Sequence, residues 1–263
     1  MALDLDAYLA RIGYLGIGYR GALTPTLETL TALQRAHMMA IPFEGLDVLL
    51  GRDVSLDLDR LQAKLVGARR GGYCFEHTTL FAAVLDALGF RHTAHMARVL
   101  LVTPLEAAPL THMLLVVDLP QGRFVSDPGF GGPAAPVPLP LSGETVGRHR
   151  IARDGAYWVL LDGDRPCWGS LLREDQPVDF EVGNHYVASH PASPFTQNVM
   201  MSRFIPSGQV TVMNREAKIV QDGAARTVTL PDRPALRAFV ADHFGFDLPE
   251  IETLRVSAVP GWE

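Results

Sequence analysis

Apolar residues in the first ninety positions recur with the spacing of one helical face. One such set is Leu5, Tyr8, Leu9 and Ile12, and a second is Leu58, Leu61 and Leu65. Residues at i, i+3, i+4 and i+7 lie on the same side of an α-helix. The pattern predicts that the amino-terminal third of the chain is helical.

Two further helices are predicted by their boundary residues. Thr24 followed by Pro25 is typical of an N-cap with proline at the first helical position, and this helix should end near Pro42. After Cys74, a single apolar stripe is formed by Leu80, Phe81, Val84, Leu85 and Leu88. Gly89 is the expected C-cap, so Cys74 is expected near the start of a helix.

From about residue 91 the helical spacing gives way to short runs rich in β-formers. These runs are HMLLVVDL, GRFVSD, RIARDGAYWVLL and NHYVAS, with Pro and Gly between them. Asp154-Gly155 lies between two alternating runs and predicts a hairpin. Many short strands at such spacing indicate a barrel or a sandwich.

The carboxyl-terminal part returns to a mixed pattern. QVTVMN, AKIVQDG and ARTVTL predict a three-stranded antiparallel meander, and a helix follows that ends near Gly245. The order of helices, strands and a small α/β piece indicates an α+β fold rather than a βαβ repeat. We predict a helical domain over 1–90, a β-barrel over 91–188, a connector with a short helix over 189–208, and an α/β lid over 209–263.

Composition narrows the class of protein. A net charge of −6 without a basic stripe argues against a nucleic-acid partner. No apolar run approaches the ~20 residues that span a bilayer, and the acidic start is unlike a signal peptide. We therefore expect a cytoplasmic protein without a membrane partner. Its two cysteines are too few for a cysteine zinc cage or a disulfide framework, and no metal site is expected.

Cys74 is left as either a buried structural thiol or a reactive one. A thiolate forms most easily at a helix start beside a base, because the helix dipole and an imidazolium both stabilise its charge. Among nine histidines, His112 begins a predicted strand and Asp127 ends the next one, with a turn at residues 120–122 between them. Antiparallel pairing brings the two side chains together, which predicts a Cys-His-Asp triad.

A structural interpretation of these residues is equally simple. A lone Cys is often a small buried hydrophobe, and a strand His is often a satisfied core residue. Two features favour chemistry. Gly71-Gly72 allows close backbone approach to Cys74, and the run DPGFGG after Asp127 offers exposed backbone N–H groups for a carbonyl oxygen. The run is also compatible with a tight turn.

Four stretches together resemble one enzyme family. RGGYCFE, the upstream IPFEGLDV, THMLLVV and VSDPGFGG are similar in order and spacing to the arylamine N-acetyltransferases of bacterial type, over nearly the whole chain. The resemblance implies a helical domain, a β-barrel, a connector and an α/β lid around a cysteine-protease-like core. It also implies that Cys74, His112 and Asp127 form the catalytic triad.

The resemblance implies an activity as well. Acetyl-CoA is the expected co-substrate, with no permanently bound cofactor, and arylamines, hydrazines or hydroxylamines are the expected acceptors in a ping-pong reaction of xenobiotic metabolism. Implied acceptor contacts are Phe43, Phe130 and Phe204, although Phe43 is equally expected as core packing. Implied contacts to the acyl or pantetheine group are Thr111, Gly129 and Gly131. A monomer or homodimer is expected.

Two positions depart from the family pattern, and several others have a structural interpretation. Pro128 removes a backbone donor after the triad aspartate, and Thr78 stands where asparagine is common. Arg69 and Arg70 are expected in an ion pair with an acid such as Glu44, or at the surface. His77 is expected to point away from Cys74. Cys167 has no helix start, base or glycine approach, so we expect it to be inert.

Other functions use the same triad. Transglutaminase-like cysteine hydrolases have the same residue order, and an amide synthase that closes a macrolactam from a carrier-bound thioester lies in the family's neighbourhood. A binding module without turnover would need a broken triad, and all three residues are present here.

Overall fold

The amino-terminal part of the chain is helical, as its periodicity predicts. The computed structural model describes residues 2–14 and 23–263. In this part of the chain the helical elements are α1 (Leu5–Arg11), α2 (Leu27–Ala40), α3 (Leu46–Leu49), α4 (Leu58–Leu61), a π-helical stretch (Gln62–Gly67) and α5 (Cys74–Ala87). Tyr8, Leu61 and Leu65, which the spacing predicted on one helical face, are buried, and so are Leu30 and Leu33 on α2.

Helix α2 begins later than predicted. Thr24 is not its N-cap and Pro25 is not its first residue, because Thr26 occupies the cap position and its hydroxyl accepts a hydrogen bond from the backbone N–H of Thr29 at 3.2 Å. A threonine in extended conformation directly before Leu27 satisfies a free N–H of the first turn. The predicted end before Pro42 is confirmed, since the helix ends at Ala40.

Helix α5 starts at Cys74, as predicted. The Glu76 carboxylate accepts the backbone N–H of Tyr73 at 3.0 Å, which closes the first turn. After Ala87 the chain leaves the helix through Gly89 at φ +75°, a conformation that costs glycine little. Local capping thus places Cys74 at a helix N-terminus.

The central part forms a seven-stranded antiparallel sheet. Its strands are β2 (Arg91–Val99), β3 (Leu110–Leu119), β4 (Gly122–Ser126), β5 (Leu139–Pro140), β6 (His149–Asp154), β7 (Tyr157–Asp162) and β8 (Arg165–Ser170). They are ordered β5-β4-β3-β2-β8-β7-β6. The end strands β5 and β6 approach each other, so the sheet is nearly closed into a barrel.

Both predicted hairpins of this sheet are present. Leu119 pairs with Gly122 across the turn between β3 and β4. Asp154 pairs with Tyr157 between β6 and β7, and Gly155 in the turn has φ +55°. The β3–β4 hairpin carries His112 near the start of its first strand, and its second strand leads into Asp127. Both residues therefore lie at the open end of the hairpin.

A five-stranded sheet occupies the carboxyl-terminal part. The predicted meander is confirmed as β10 (Gly208–Met213), β11 (Glu216–Gln221) and β12 (Ala224–Thr229). Two more strands extend it, β9 (Met200–Ile205) and β1 (Phe43–Glu44). Segment 189–208 is therefore more than a connector with a short helix, because it contains β9 in addition to a 3₁₀ turn (Pro194–Thr196).

Helices cover both sheets. Helix α7 (Arg233–Phe244) ends at Gly245, as predicted, and a 3₁₀ turn (Pro249–Thr253) follows. The run NHYVAS is not a strand but the end of helix α6 (Pro177–Ser189). The alternation of apolar and polar residues in this run is too short to distinguish a strand from a helix. Over the longer segment, Phe180, Gly183 and Val187 form a buried stripe with helical spacing.

A small apolar cluster lies where these parts meet. Its buried members come from α5, β2, β3 and α6, from the residue before α5 and from the loop after α3: Val54, Tyr73, Cys74, Phe75, Met96, Met113, Phe180 and Val187. Within residues 2–14 and 23–263, no helix is long and apolar enough to cross a membrane. The four-part domain division stays a prediction.

Candidate active site

Cys74 lies in this cluster at the first residue of α5. Its side chain is buried, with a relative exposure of 5%, and its Sγ lies 3.6 Å from the backbone carbonyl oxygen of Thr111. Thr111 directly precedes His112 on β3. The sulfur is therefore held between a helix N-terminus, which stabilises negative charge, and the strand that carries the histidine.

His112 and Asp127 are brought together by the β3–β4 hairpin. Leu115 pairs with Ser126 in that hairpin, so the two side chains lie just beyond the last paired residues. The Nε2 atom of His112 is 2.9 Å from Oδ2 of Asp127. Because Nε2 faces the carboxylate, Nδ1 is the ring nitrogen left for another partner.

The environment of His112 favours its charged form. Burial lowers the pKa of His112, but the negative charge of Asp127 and hydrogen bonds with Asp127 and Cys74 outweigh it, and the pKa rises to about 10. A carboxylate next to a buried imidazole stabilises the imidazolium. His112 is thus bound to Asp127 and lies next to the residue that contacts the Cys74 sulfur, in an environment that favours the imidazolium form.

The glycine-rich run after Asp127 packs against Cys74. A Cβ added to Gly129 would lie 2.9 Å from both Cα and the carbonyl oxygen of Cys74, so only glycine allows this approach. The run was predicted to be exposed, but in the structure its residues 127–131 are buried. Its backbone is therefore close to the sulfur but shielded from water by the surrounding side chains.

The three predicted aromatic contacts have different surroundings. Phe130 is buried, and its ring centroid lies 4.8 Å from that of His112. Phe43, half-buried on β1, lies 3.1 Å from where a Cβ on Gly131 would be. Phe204, half-buried on β9, packs on the same hydrophobic cluster as Phe130. Phe130 thus packs on the ring of His112, and Phe43 packs on the cluster that contains Cys74.

Charged residues on both sides of Cys74 in the sequence form a largely buried ionic cluster. Arg70 contacts Glu44 at 2.6 Å and Asp47 at 3.2 Å, and Lys64 contacts Asp47 at 2.7 Å and Glu76 at 2.6 Å. The predicted pairing of Arg70 with Glu44 is confirmed, while Arg69 is at the surface. The cluster ties α3 and the π-helical stretch to the start of α5.

Comparison with known proteins gives the family of this chain. The N-acetyltransferase family profile matches residues 26–253. An arylamine N-acetyltransferase of Escherichia coli K12 is 37% identical over 257 residues, covering 94% of this chain and 90% of the relative. One of Mycolicibacterium smegmatis is 35% identical, covering 98% and 97%.

This chain belongs to the arylamine N-acetyltransferase family. Solved structures agree with the sequence relatives. The arylamine N-acetyltransferase of Mycobacterium marinum in complex with CoA has a TM-score of 0.86 at 34% identity, covering 94% of each chain. That of Nocardia farcinica has a TM-score of 0.84 at 37% identity, covering 99% and 95%. The predicted α+β fold and the acyltransferase class of the enzyme are confirmed.

The two departures from the family pattern have visible consequences. Thr78 is buried on α5, and its hydroxyl donates to the backbone carbonyl of Met113 at 3.0 Å. This bond ties the helix that carries Cys74 to the strand that carries His112. Pro128 has no N–H, so in this chain the residue after Asp127 cannot donate to an oxyanion.

Two further predictions concern His77 and Cys167, which lie outside the triad. His77 points away from the sulfur, with Nδ1 2.8 Å from Nε2 of His37 and Nε2 3.1 Å from the carbonyl oxygen of Pro42. Cys167 is buried on β8, and burial raises the pKa of its thiol to about 11. A thiol with a raised pKa is a poor nucleophile near neutral pH.

Sequence reasoning missed the groups that surround Asp127. The indole N–H of Trp168 donates to Oδ2 at 2.9 Å, so this oxygen accepts from two rings. Gln34 on α2 accepts from the Ser126 hydroxyl at 2.8 Å and donates to the Ala135 carbonyl at 3.0 Å. Neither residue stands out in the sequence, because the contacts span 41 and about 100 positions.

An aromatic wall beside Phe43 was also missed. The ring of Phe195 lies 5.9 Å from that of Phe43 and 5.4 Å from that of Tyr73. Phe195 lies in the segment predicted as a connector, where a single phenylalanine carries no signal.

In the described part of the chain, no group of three His, Cys, Asp or Glu side chains could hold a metal ion.

Proposed function

We propose that this chain transfers an acetyl group from acetyl-CoA to arylamines, arylhydrazines and hydroxylamines through an acetyl-Cys74 intermediate. The observation that carries the proposal is the position of Cys74 at the start of α5, with its Sγ 3.6 Å from the carbonyl oxygen of Thr111, directly before a buried His112 that is bound to Asp127. Membership of the arylamine N-acetyltransferase family supports it, and so does the CoA complex of a structural neighbour.

In the first half-reaction the Cys74 thiolate attacks the thioester carbonyl carbon. A bond forms between Sγ and that carbon, and the bond from the carbon to the CoA sulfur breaks. The leaving thiolate takes a proton from the His112 imidazolium, so free CoA departs as a thiol. The exchange of one thioester for another requires little free energy.

In the second half-reaction the amine nitrogen attacks the acetyl carbon. The new C–N bond replaces the C–S bond to Cys74, and the amine gives a proton to the now neutral His112. This restores the initial pair of thiolate and imidazolium. Asp127 keeps the imidazole oriented in both steps, with Trp168 and His112 sharing its Oδ2. The order of events is ping-pong.

The predicted substrate contacts are assigned as follows. Phe43, Phe130 and Phe204 form aromatic surfaces for a flat acceptor ring. Thr111, Gly129 and Gly131 contact the acyl or pantetheine group, because the Thr111 carbonyl and the Gly129 backbone both lie against Cys74. A cytoplasmic location, a monomer or homodimer, and a role in xenobiotic metabolism stay predictions.

The mass of the intact protein after mixing with acetyl-CoA tests this function. Wild type and Cys167→Ala should each gain one acetyl group, and Cys74→Ala should gain none. Adding an arylamine or a hydrazine should then restore the original mass and yield the acetylated amine.

Two results would overturn the proposal. The first is no adduct from acetyl-CoA under conditions where the Cys74 thiol reacts with iodoacetamide, which would favour the hydrolase or the carrier-dependent amide synthase. The second is an adduct that is discharged by water as fast as by the amine.

A further inference from the structure

Three buried aromatic side chains with polar atoms form a continuous hydrogen-bonded chain beside the nucleophile. The Tyr8 hydroxyl is 2.8 Å from Nδ1 of His37, and Nε2 of His37 is 2.8 Å from Nδ1 of His77. Nε2 of His77 is 3.1 Å from the carbonyl oxygen of Pro42. Each ring has a relative exposure of 1% or less. The triad and its proposed mechanism use none of them.

The direction of every bond in this chain follows from the last one. A carbonyl oxygen only accepts, so His77 must carry a proton on Nε2. If His77 is neutral, its Nδ1 accepts a hydrogen bond from the Nε2–H of His37. Nδ1 of His37 is then an acceptor, and the Tyr8 hydroxyl donates to it. The alternative, a charged His77, would place an unpaired cation in the protein interior at a high cost in free energy.

The surroundings favour the neutral form of both imidazoles. Burial lowers the pKa of His77 to about 4, although its hydrogen bonds to backbone carbonyls act in the opposite direction. Burial, His77 and Arg11 all lower the pKa of His37. Each ring nitrogen thus makes one bond in a chain that runs from Tyr8 to Pro42.

The Pro42 carbonyl is a junction between two segments at the active site. It also accepts the backbone N–H of Gly72 at 3.2 Å, and a Cβ added to Gly71 would lie 2.0 Å from its oxygen. The Gly72 carbonyl in turn accepts the N–H of Glu44 at 2.8 Å. These contacts join the start of β1 to the glycines just before Cys74.

Phe43 is the residue whose position this junction determines. The Pro42 carbonyl belongs to the planar peptide that leads into Phe43, so fixing the oxygen fixes the direction of the next Cα. The Phe43 ring lies parallel to His77 within 21°, at a centroid distance of 6.5 Å, and packs against Phe195 and Gly131. Phe43 is thus confined from three sides.

We propose that His77 is a positioning residue for the acceptor half-reaction: its Nε2–H, oriented by His37 and Tyr8, holds the Pro42 carbonyl and thereby keeps Phe43 in place as a wall of the arylamine pocket. This rests on the function proposed above, which assigns Phe43 to the acceptor. Acetylation of Cys74 by acetyl-CoA does not require Phe43, so the two half-reactions separate the two proposals.

Two substitutions of His77 form a matched pair. In His77→Gln the amide nitrogen can take the place of Nε2 and still donate to Pro42. In His77→Asn the shorter amide matches the Nδ1 side and cannot reach Pro42. Both remove the imidazole, so a difference between them reports the bond to Pro42.

The decisive measurement is the rate at which pre-acetylated enzyme is discharged at increasing arylamine concentration. His77→Asn should raise the half-saturating arylamine concentration about 10-fold, the equivalent of one lost hydrogen bond. His77→Gln should stay within about 2-fold of wild type, and both variants should be acetylated by acetyl-CoA at nearly the wild-type rate. Equal half-saturating concentrations in the two variants, or equal losses in both half-reactions, would overturn the proposal.

A measurement on the wild-type protein keeps the proposal testable if either variant fails to fold. Long-range ¹H–¹⁵N spectra distinguish the tautomers of histidine, and the signals of His37 and His77 can be assigned from His37→Gln and His77→Gln, or by selective labelling. Both residues should be neutral with the proton on Nε2 between pH 6 and 8. A proton on Nδ1 of His77, without one on Nε2, would contradict the bond to Pro42 and sink the idea.

Discussion

His112 and His77 are two histidines with the same burial and opposite chemistry. Each has a relative exposure of 1%; His77 lies in α5, the helix that begins at Cys74, and His112 lies on β3, which packs against that helix. The nearest polar group to Nε2 is a carboxylate at 2.9 Å for His112 and a backbone carbonyl at 3.1 Å for His77. The pKa is about 10 for the first and about 4 for the second.

The difference teaches that the partner of a buried imidazole, more than its burial, decides its charge. Desolvation lowers the pKa of both rings. Only His112 has a full negative charge beside it to reverse that effect. The histidine closest to Cys74 in sequence is therefore the one that cannot serve as an imidazolium, and the one 38 positions away can.

The largest expected effect comes from removing the charge that distinguishes the two histidines. Asp127→Asn keeps the shape of the side chain, but an amide neither stabilises the imidazolium nor holds the right tautomer. We expect kcat/KM for arylamine acetylation to fall by roughly 10⁴-fold, as in related triads. Steady-state kinetics and the pH dependence of Cys74 alkylation by iodoacetamide measure it.

Asp118→Asn is the matched control for this change. Asp118 is an exposed carboxylate on the same strand as His112 and pairs with Arg123 at 3.3 Å. This variant should retain wild-type activity. Near wild-type kcat/KM in Asp127→Asn would remove the carboxylate from the mechanism and end the contrast between the two histidines.

The two histidines should also make the free energy of unfolding depend on pH in opposite directions. A lowered folded pKa means that the unfolded chain binds more protons, so the contribution of His77 is complete above about pH 6.5 and is lost as pH falls toward 4. The loss is on the order of 3 kcal/mol. The raised pKa of His112 means that its contribution is complete below about pH 6.5 and is lost as pH rises toward 10.

Urea unfolding between pH 4 and 10 measures both slopes. His77→Gln should reduce the acid slope and leave the alkaline one, whereas Asp127→Asn should reduce the alkaline slope. If both variants flatten the same side of the curve, the assignment of opposite charges to the two rings is wrong.

A smaller effect is expected from one of the two donors to Asp127. Trp168→Phe removes the indole N–H from Oδ2 and leaves the His112 bond. A hydrogen bond to a charged group contributes about 1.5–3 kcal/mol, and the free energy of unfolding should fall by at least this amount, because the smaller ring also leaves a void.

Trp158→Phe provides the comparison, since this half-buried indole stacks with Arg153 at 4.7 Å and makes no bond to the triad. Chemical denaturation of both variants gives the two changes in free energy. A loss in Trp158→Phe as large as that in Trp168→Phe would mean that ring size alone is being measured.

The smallest effect should come from Tyr8, at the far end of the hydrogen-bonded series of Tyr8, His37 and His77. Tyr8→Phe deletes only the hydroxyl, leaving Nδ1 of His37 without its donor. We expect a loss of about 1 kcal/mol in the free energy of unfolding, measured by urea denaturation. The rate of Cys74 acetylation should not change. A loss of acetylation would show that the hydrogen-bonded series of Tyr8, His37 and His77 acts on the nucleophile directly.

Much of the site was predictable because it depends on neighbours in sequence. Helix α5 starts at Cys74 and ends before Gly89 through capping and an apolar stripe that local spacing reveals. The β3–β4 hairpin follows from two alternating runs and a turn, and it is enough to bring His112 to Asp127. Periodicity, caps and turns act over a few residues, so a single sequence contains them.

Other features were decided only when distant segments packed together. The pairing of β1 with β9 joins residues about 160 positions apart, the Trp168 bond to Asp127 spans 41, and the bond between the His37 and His77 rings spans 40. A buried N–H or carbonyl must find a partner somewhere, but the sequence does not say which one. The charge of each histidine is therefore a property of the folded chain: its residue type came from the sequence, and its partner from the tertiary structure.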